Sequence, residues 1–164
     1  MKTLLFFRHG KSDWEAAYDH DHERPLAKRG RKAARRMGRF LAGIGQYPDA
    51  VITSSAVRAR ATLELAAEAG AWPACPVRVT RALYEAAPDD LLREVRQETD
   101  DTGRLMLVGH EPAWSQTISA FIGGGTLRFP TAALARIDLN VAHWADAAFG
   151  QGTLIWLVIP KALP

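Results

Sequence analysis

Short unbroken apolar runs alternate along the chain with longer stretches in which apolar residues recur at helical spacing. Residues 3–7, 50–53, 76–79 and 105–108 are runs of the first kind, too short for helices and rich in large or β-branched side chains, so they predict buried strands. Between them, Leu26, Ala33, Ala34, Met37, Phe40 and Leu41 mark a helix over residues 26–43. A second helix opens near Ser54 and Ser55, both suited to N-capping, and ends at Gly70. Leu91, Leu92 and Val95 predict a third over 89–98, with Pro88 placed to start it. A fourth opens at Pro112, runs through Ile122 and is stopped by Gly123-Gly124-Gly125. Residues 132–139 and 152–159 read as closing strands, the latter continuous enough to be central or well covered. This alternation predicts an α/β fold, a three-layer α/β/α sandwich on a mainly parallel sheet with a mixed edge. No repeat, low-complexity segment or linker divides the chain, so residues 1–164 are expected to form one domain.

Composition narrows the functional classes. With 48% hydrophobic and 24% charged residues the chain reads as an ordinary soluble protein. The net charge of +3 is concentrated in residues 28–39, whose apolar positions keep helical spacing. That segment predicts a solvated basic helix face, and without interleaved aromatic platforms it does not predict nucleic-acid binding. Cys75 is the only cysteine, which excludes an internal disulfide and fits a reducing, cytoplasmic home. No run approaches the roughly 18 apolar residues of a membrane span, and no signal peptide is recognisable. A monomer without membrane partners is expected.

The chemistry sits where apolar runs end. Arg8-His9-Gly10 follows Leu4-Leu5-Phe6-Phe7, and Gly109-His110 follows Leu105-Met106-Leu107-Val108. In an open parallel sheet ligands bind beyond the C-terminal ends of strands, so both imidazoles are predicted to face one crevice. Arg58 holds the analogous position after the 50–53 run, while Arg60, two residues further on a helix, is expected to point elsewhere. Histidines converging with arginines suit phosphoryl transfer. An uncharged imidazole can attack phosphorus, neighbouring cations keep it uncharged, and guanidinium forks hold the phosphate oxygens. His9 is the expected nucleophile, and His110, at a helix entrance, a donor to the transferring group. Glu85, after the third strand, is the first choice for proton donor, with Asp13 its competitor. Arg24 can reach the phosphate or its flanking groups; Gly10, Ser12 and Glu111 complete the expected substrate-binding set.

Other motifs carry less. Gly10-Lys11-Ser12 imitates the tail of a nucleotide-binding loop, but Leu5 stands where that motif needs glycine. The run Asp19-His20-Asp21-His22-Glu23 lacks a cysteine or a spaced histidine pair and reads as a mobile polar rim, not a metal site. No metal or cofactor is expected. Of the five tryptophans, Trp14 alone is expected to line the pocket.

The ordered set of motifs resembles the histidine phosphatase superfamily, also called phosphoglycerate mutase-like. Arg8-His9-Gly10 matches its nucleophile motif, Val108-Gly109-His110 its second-histidine motif, and the segment from Ser54 to Thr62 the one bearing its second phosphate-binding arginine. Arg24-Pro25-Leu26, Arg29-Gly30 and Pro130-Thr131-Ala132-Ala133 are similar to the short branch typified by SixA phosphohistidine phosphatase. The likeness spans Leu4 to Asp138. It implies a cofactor-independent phosphatase with His9 phosphorylated in turn, Arg8, Arg58 and His110 as phosphate pocket, and Glu85 near the usual proton donor. The short passage from Leu83 to the helix at Asp89 leaves no room for the insertion of mutase relatives, which disfavours mutase activity. A phosphohistidine protein is the expected substrate, a small phosphomonoester the alternative, and a module that binds phosphorylated groups without turnover the rival.

Overall fold

The computed structural model describes residues 1–164 and is built on one six-stranded sheet. Its strands are β1 (Lys2–Arg8), β2 (Ala50–Ser54), β3 (Val77–Thr80), β4 (Arg104–Gly109), β5 (Leu134–Leu139) and β6 (Gly152–Val158), in spatial order β3-β2-β4-β1-β5-β6. β1 to β4 run parallel, and β5 and β6 form an antiparallel edge. Four helices cover the sheet: α1 (Lys28–Gly43), α2 (Val57–Ala69), α3 (Pro88–Arg96) and α4 (Ala113–Phe121). No helix is long and apolar enough to cross a membrane.

The period of two in β1 builds the layers. Leu4 and Phe6 join the core beneath α3 and α4, with Leu91, Val95, Trp114 and Ile118. Leu5 and Phe7 face the other way, packing with Met37 and Leu41 of α1 and Ala59, Leu63 and Ala66 of α2. A strand buried on both faces must be apolar at consecutive positions, as a parallel central strand is. α1 is amphipathic, with Gly30, Ala34, Met37, Gly38 and Leu41 inward and its cations outward.

Three expectations are corrected. β6 is an edge strand, not a central one: it pairs only with β5, and Ile155 is 47% exposed. A continuous apolar run does not reveal how many neighbours a strand has; here Trp156 turns one face under Phe40 of α1, ring centroids 6.0 Å apart, Leu154 and Leu157 pack the other face against the core beneath α3 and α4, and Ile155 is left outside at a shift in register with β5. Ser54 and Ser55 do not cap α2, whose N-cap is Ala56 without a side-chain bond. Pro112 likewise precedes α4 as its N-cap and does not occupy its first turn.

The loop after β1 is pressed against α1 through two glycines. A Cβ on Gly10 would come within 2.6 Å of the Gly30 carbonyl oxygen, and one on Gly30 within 2.1 Å of the Lys11 carbonyl oxygen. Only hydrogen fits there, and the contact holds residues 9–12 down on the helix. Gly30→Ala is therefore expected to destabilise the fold by roughly 1–3 kcal/mol through overpacking. Gly43→Ala, where nothing lies within 4 Å, should be neutral or stabilising by up to about 1 kcal/mol. Urea unfolding midpoints of the two variants check this; equal midpoints would refute the close-contact account.

Candidate active site

Parallel pairing of β1 with β4 sets Arg8 opposite Gly109, so the next residue of each strand, His9 and His110, emerges at the same sheet edge. The His9 N–H donates to the Gly109 carbonyl (3.0 Å), and its own carbonyl accepts from Ala132 N–H (2.9 Å). The two rings lie with centroids 5.1 Å apart, and both are buried. The expectation of a shared crevice is met in the geometry.

Hydrogen bonding fixes which nitrogen of His9 is free. Nδ1 lies 2.7 Å from the Gly10 carbonyl, which can only accept, so Nδ1 carries the proton and Nε2 the lone pair. Burial, followed by the charges of Arg58, Arg8 and Arg24 and opposed by the Gly10 bond, pushes the His9 pKa down to about 3. At neutral pH the ring is uncharged and Nε2 keeps its lone pair. His110 is likewise lowered to about 3, first by burial, then by His9, Arg58 and Arg8, with Asp21 opposing. Its Nε2 is 2.8 Å from Ser54 Oγ, which already accepts from the Ala56 N–H at 3.2 Å. In the tautomer in which Ser54 donates to Nε2, the proton of His110 sits on Nδ1, a buried atom with no partner.

Arg58 occupies the first turn of α2 and is buried. Both of its terminal nitrogens engage Asp21: Nη1 donates to the backbone carbonyl (2.7 Å) and Nη2 to Oδ2 (3.0 Å). Tyr84 donates its hydroxyl to the same Oδ2 at 2.7 Å. Arg24 Nη1 stands 2.7 Å from Asp21 Oδ1 without hydrogen-bond alignment, a charge contact. Arg24 Nε donates to Ser12 Oγ (3.0 Å), and its guanidinium stacks 3.4 Å over the exposed Trp14 ring. Arg8 donates through Nη1 to the Phe129 carbonyl (2.9 Å). The Nε atoms of Arg8 and Arg58 are buried and, like His110 Nδ1, unpartnered. Unpaired buried donors are uncommon in folded proteins, and these belong to the groups that act electrostatically on the two imidazoles. Such a cup can receive an oxyanion.

Comparison with known proteins agrees with this chemistry. Residues 4–102 match the model of the histidine phosphatase superfamily (branch 1). The chain belongs to the histidine phosphatase superfamily. It is 35% identical to the uncharacterized protein Rv1276c of Mycobacterium tuberculosis, over 94% of this chain and 99% of that one. Two solved structures, each provisionally described as phosphohistidine phosphatase SixA, share the fold over nearly the whole chain. The one from Nakamurella multipartitia has a TM-score of 0.84 and 27% identity, covering 97% of this chain and 96% of its own. The one from Agrobacterium tumefaciens has a TM-score of 0.81 and 26% identity, covering 97% and 98%. The protein is a histidine-type phosphatase, a hydrolase.

Not every expected group reaches the cup of this histidine phosphatase. Glu85 is exposed, has a left-handed backbone (φ 57°) and makes no hydrogen bond; its neighbour Tyr84 is the residue that turns inward. Asp13 accepts from Glu15 N–H (3.0 Å) within its own turn. Glu111 binds Ser115 through its N–H (2.7 Å) and hydroxyl (2.8 Å), tying down the first turn of α4. The Gly10 N–H donates to Thr62 Oγ1 (3.0 Å), which anchors the loop after β1 to α2. Arg60 is exposed, as its helical position predicts. The run from Asp19 to Glu23, expected as a mobile rim, is instead pinned at two points, by Asp21 and by the 2.8 Å contact of His22 Nε2 with Ser55 Oγ.

Four contributors escaped sequence reading: Asp21, Tyr84, Ser54 and Thr62. Asp21 lies three residues before Arg24, a spacing at which a carboxylate and a guanidinium meet across one turn, and that was the one available signal. Nothing local marks the other three, whose partners are distant along the chain.

The depressed histidines link the site to stability. Unfolded, each imidazole takes up a proton near 6.5, but folded only near 3, so below pH 6.5 the unfolded state binds more protons. Stability should be complete above pH 6.5 and fall as pH drops toward 3, by up to about 1.4 kcal/mol per pH unit for each proton. Urea midpoints of wild type and His9→Gln/His110→Gln at about pH 6.5 and 4.5 test this; the double variant should lose less.

Proposed function

We propose that the protein hydrolyses phosphohistidine on other proteins through a phosphorylated His9. In the first step Nε2 of His9 attacks phosphorus in line; the new N–P bond forms as the substrate's P–N bond breaks, and the departing imidazole takes a proton from solvent water. In the second step water attacks the phosphorus of phospho-His9, releasing inorganic phosphate and restoring the neutral ring. Arg8, Arg58 and the His110 Nδ1–H neutralise the equatorial oxygens as charge spreads over them, and Arg24 holds the approaching group. The observation that carries this reading is the uncharged, lone-pair-bearing Nε2 of His9 beside three guanidinium groups.

The choice of substrate rests on the acids. Although burial alone would raise it, the Asp21 carboxyl is held below its ordinary pKa by the Tyr84 hydroxyl and by Arg58 and Arg24, so it stays ionised. Asp13 is bound within its turn, and Glu85 is not hydrogen-bonded toward His9. Such a site suits a leaving group that protonates with little assistance. An imidazole does; the alkoxide of a sugar phosphate does not. The likeness to proteins described as phosphohistidine phosphatases supports the same substrate.

Wild type incubated with phosphohistidine protein should release phosphate and, on rapid quenching, carry acid-labile phosphate on His9. His9→Ala should stay folded and lose turnover on the order of 10³-fold or more. Full activity in that variant would refute the covalent mechanism, and faster turnover of phosphoserine peptides or sugar phosphates would refute the substrate. A metal chelator should leave the rate unchanged, because the cations here are arginines.

A further inference from the structure

Beside the catalytic cup, and sharing Arg8 with it, lies a second feature. An open cavity of about 720 Å³ includes Arg8, Lys11, Arg29, Glu111 and Arg128 in its walls. It continues through Lys11, Arg29, Arg128, Pro130 and Thr131 into a groove of about 610 Å³ along the outer face of α1. Six cations line that groove, Lys11, Arg29, Lys32, Arg36, Arg128 and Lys161, and no carboxylate does. They come from four separate parts of the chain: the loop after β1, helix α1, the loop before β5 and the turn after β6. Arg29, Lys32 and Arg36 stand at steps of three and four along α1 and form one stripe.

The pairing of these charges is unusual. Arg24, Arg58, Arg78, Arg93 and Arg136 each have an Asp or Glu partner. Within the groove, Arg36 donates only to main-chain oxygens, of Leu163 and of the terminal Pro164, and the other five side chains have no protein hydrogen bond or ion pair. Like charges gathered without counter-charges repel one another, and the repulsion is relieved when an anion settles among them.

We propose that this groove docks an acidic segment of the substrate protein, adjacent in its sequence to the phosphorylated histidine. The proposal rests on the reading that the substrate is a protein. Arg8 belongs both to the cup and to the wall of the outer cavity, so a polypeptide offering its phosphoryl group to His9 runs directly into the basic stripe. From Arg29 to Arg36 the stripe is about 10 Å long, the reach of roughly three extended residues, enough for two or three acidic side chains. No aromatic side chain lines the groove, whereas sites for single-stranded nucleic acid combine cations with stacking rings, which favours a peptide over RNA or DNA.

The test compares Lys32→Glu/Arg128→Glu/Lys161→Glu with the charge-matched control Arg35→Glu/Arg39→Glu/Arg60→Glu. All six positions are exposed, so both variants should fold. The substrates are two phosphohistidine peptides, one flanked on both sides by glutamates and one by glutamines, and an aryl phosphate. Wild type should prefer the acidic peptide, and added salt should abolish the preference. The groove variant should raise KM for the acidic peptide about tenfold or more with kcat nearly unchanged, as expected when only ground-state docking is lost. Its KM for the glutamine peptide and its rate on aryl phosphate should stay within about twofold of wild type, and the control variant should match wild type throughout. Equal KM for the two peptides in wild type, or equal losses in groove and control variants, would overturn the proposal. Should wild type cleave only the aryl phosphate, the phosphohistidine reading fails, and binding of the unphosphorylated acidic peptide decides the groove by itself. Binding weakened in the groove variant alone sustains it; binding of a single-stranded RNA in preference to the peptide refutes it.

Discussion

The parallel register between β1 and β4 is the constraint on which the site depends. It brings two residues separated by a hundred positions to the same sheet edge, with the His9 N–H bonded to the carbonyl of Gly109. A slip of one residue would turn β1 inside out, because Leu4 and Phe6 fill one core and Leu5 and Phe7 the other. Core packing and catalytic geometry are therefore set by the same hydrogen bonds. Gly109 serves both: a Cβ there would fall 2.2 Å from the Trp114 ring, the fully buried indole that fills the core next to the second histidine.

Burying two imidazoles among three arginines costs solvation, and the protein offsets it by leaving the rings uncharged and the guanidiniums partly paired. Ionised imidazoles in that place would lose their hydration and, secondarily, add like charges at close range, which is why both histidines resist protonation. Asp21 compensates Arg24 and Arg58, and Tyr84 secures the carboxylate. The electrostatic design thus includes a loop residue and a tyrosine as much as the strand-end residues.

Much of this was legible in the sequence, for identifiable reasons. Strand ends and the residues after them could be read because apolar runs stop abruptly at Arg8 and Gly109, and helix faces because α1 keeps its spacing. The edge position of β6 could not, since composition records burial and not the number of neighbouring strands. Nor could Tyr84 and Ser54, which act across 63 and 56 residues of chain, where no local pattern reports a partner. Glu85 stood out as a charged residue at a promising place, but its left-handed backbone directs the adjacent tyrosine inward. The basic segment of α1 was read as a helix face, and only its juxtaposition with Arg128 and Lys161 makes it a groove.

Asp21 also bears on selectivity. Its side chain is tethered beside the cup, so its local concentration never falls, and any anion seeking both terminal nitrogens of Arg58 has to evict it. A singly charged visitor such as acetate gains no more from the exchange than the resident carboxylate gives up. A phosphoryl group, with up to two charges and three acceptor oxygens, does gain. The Asp21 loop is a built-in competitor for Arg58, and the competition favours the more highly charged anion.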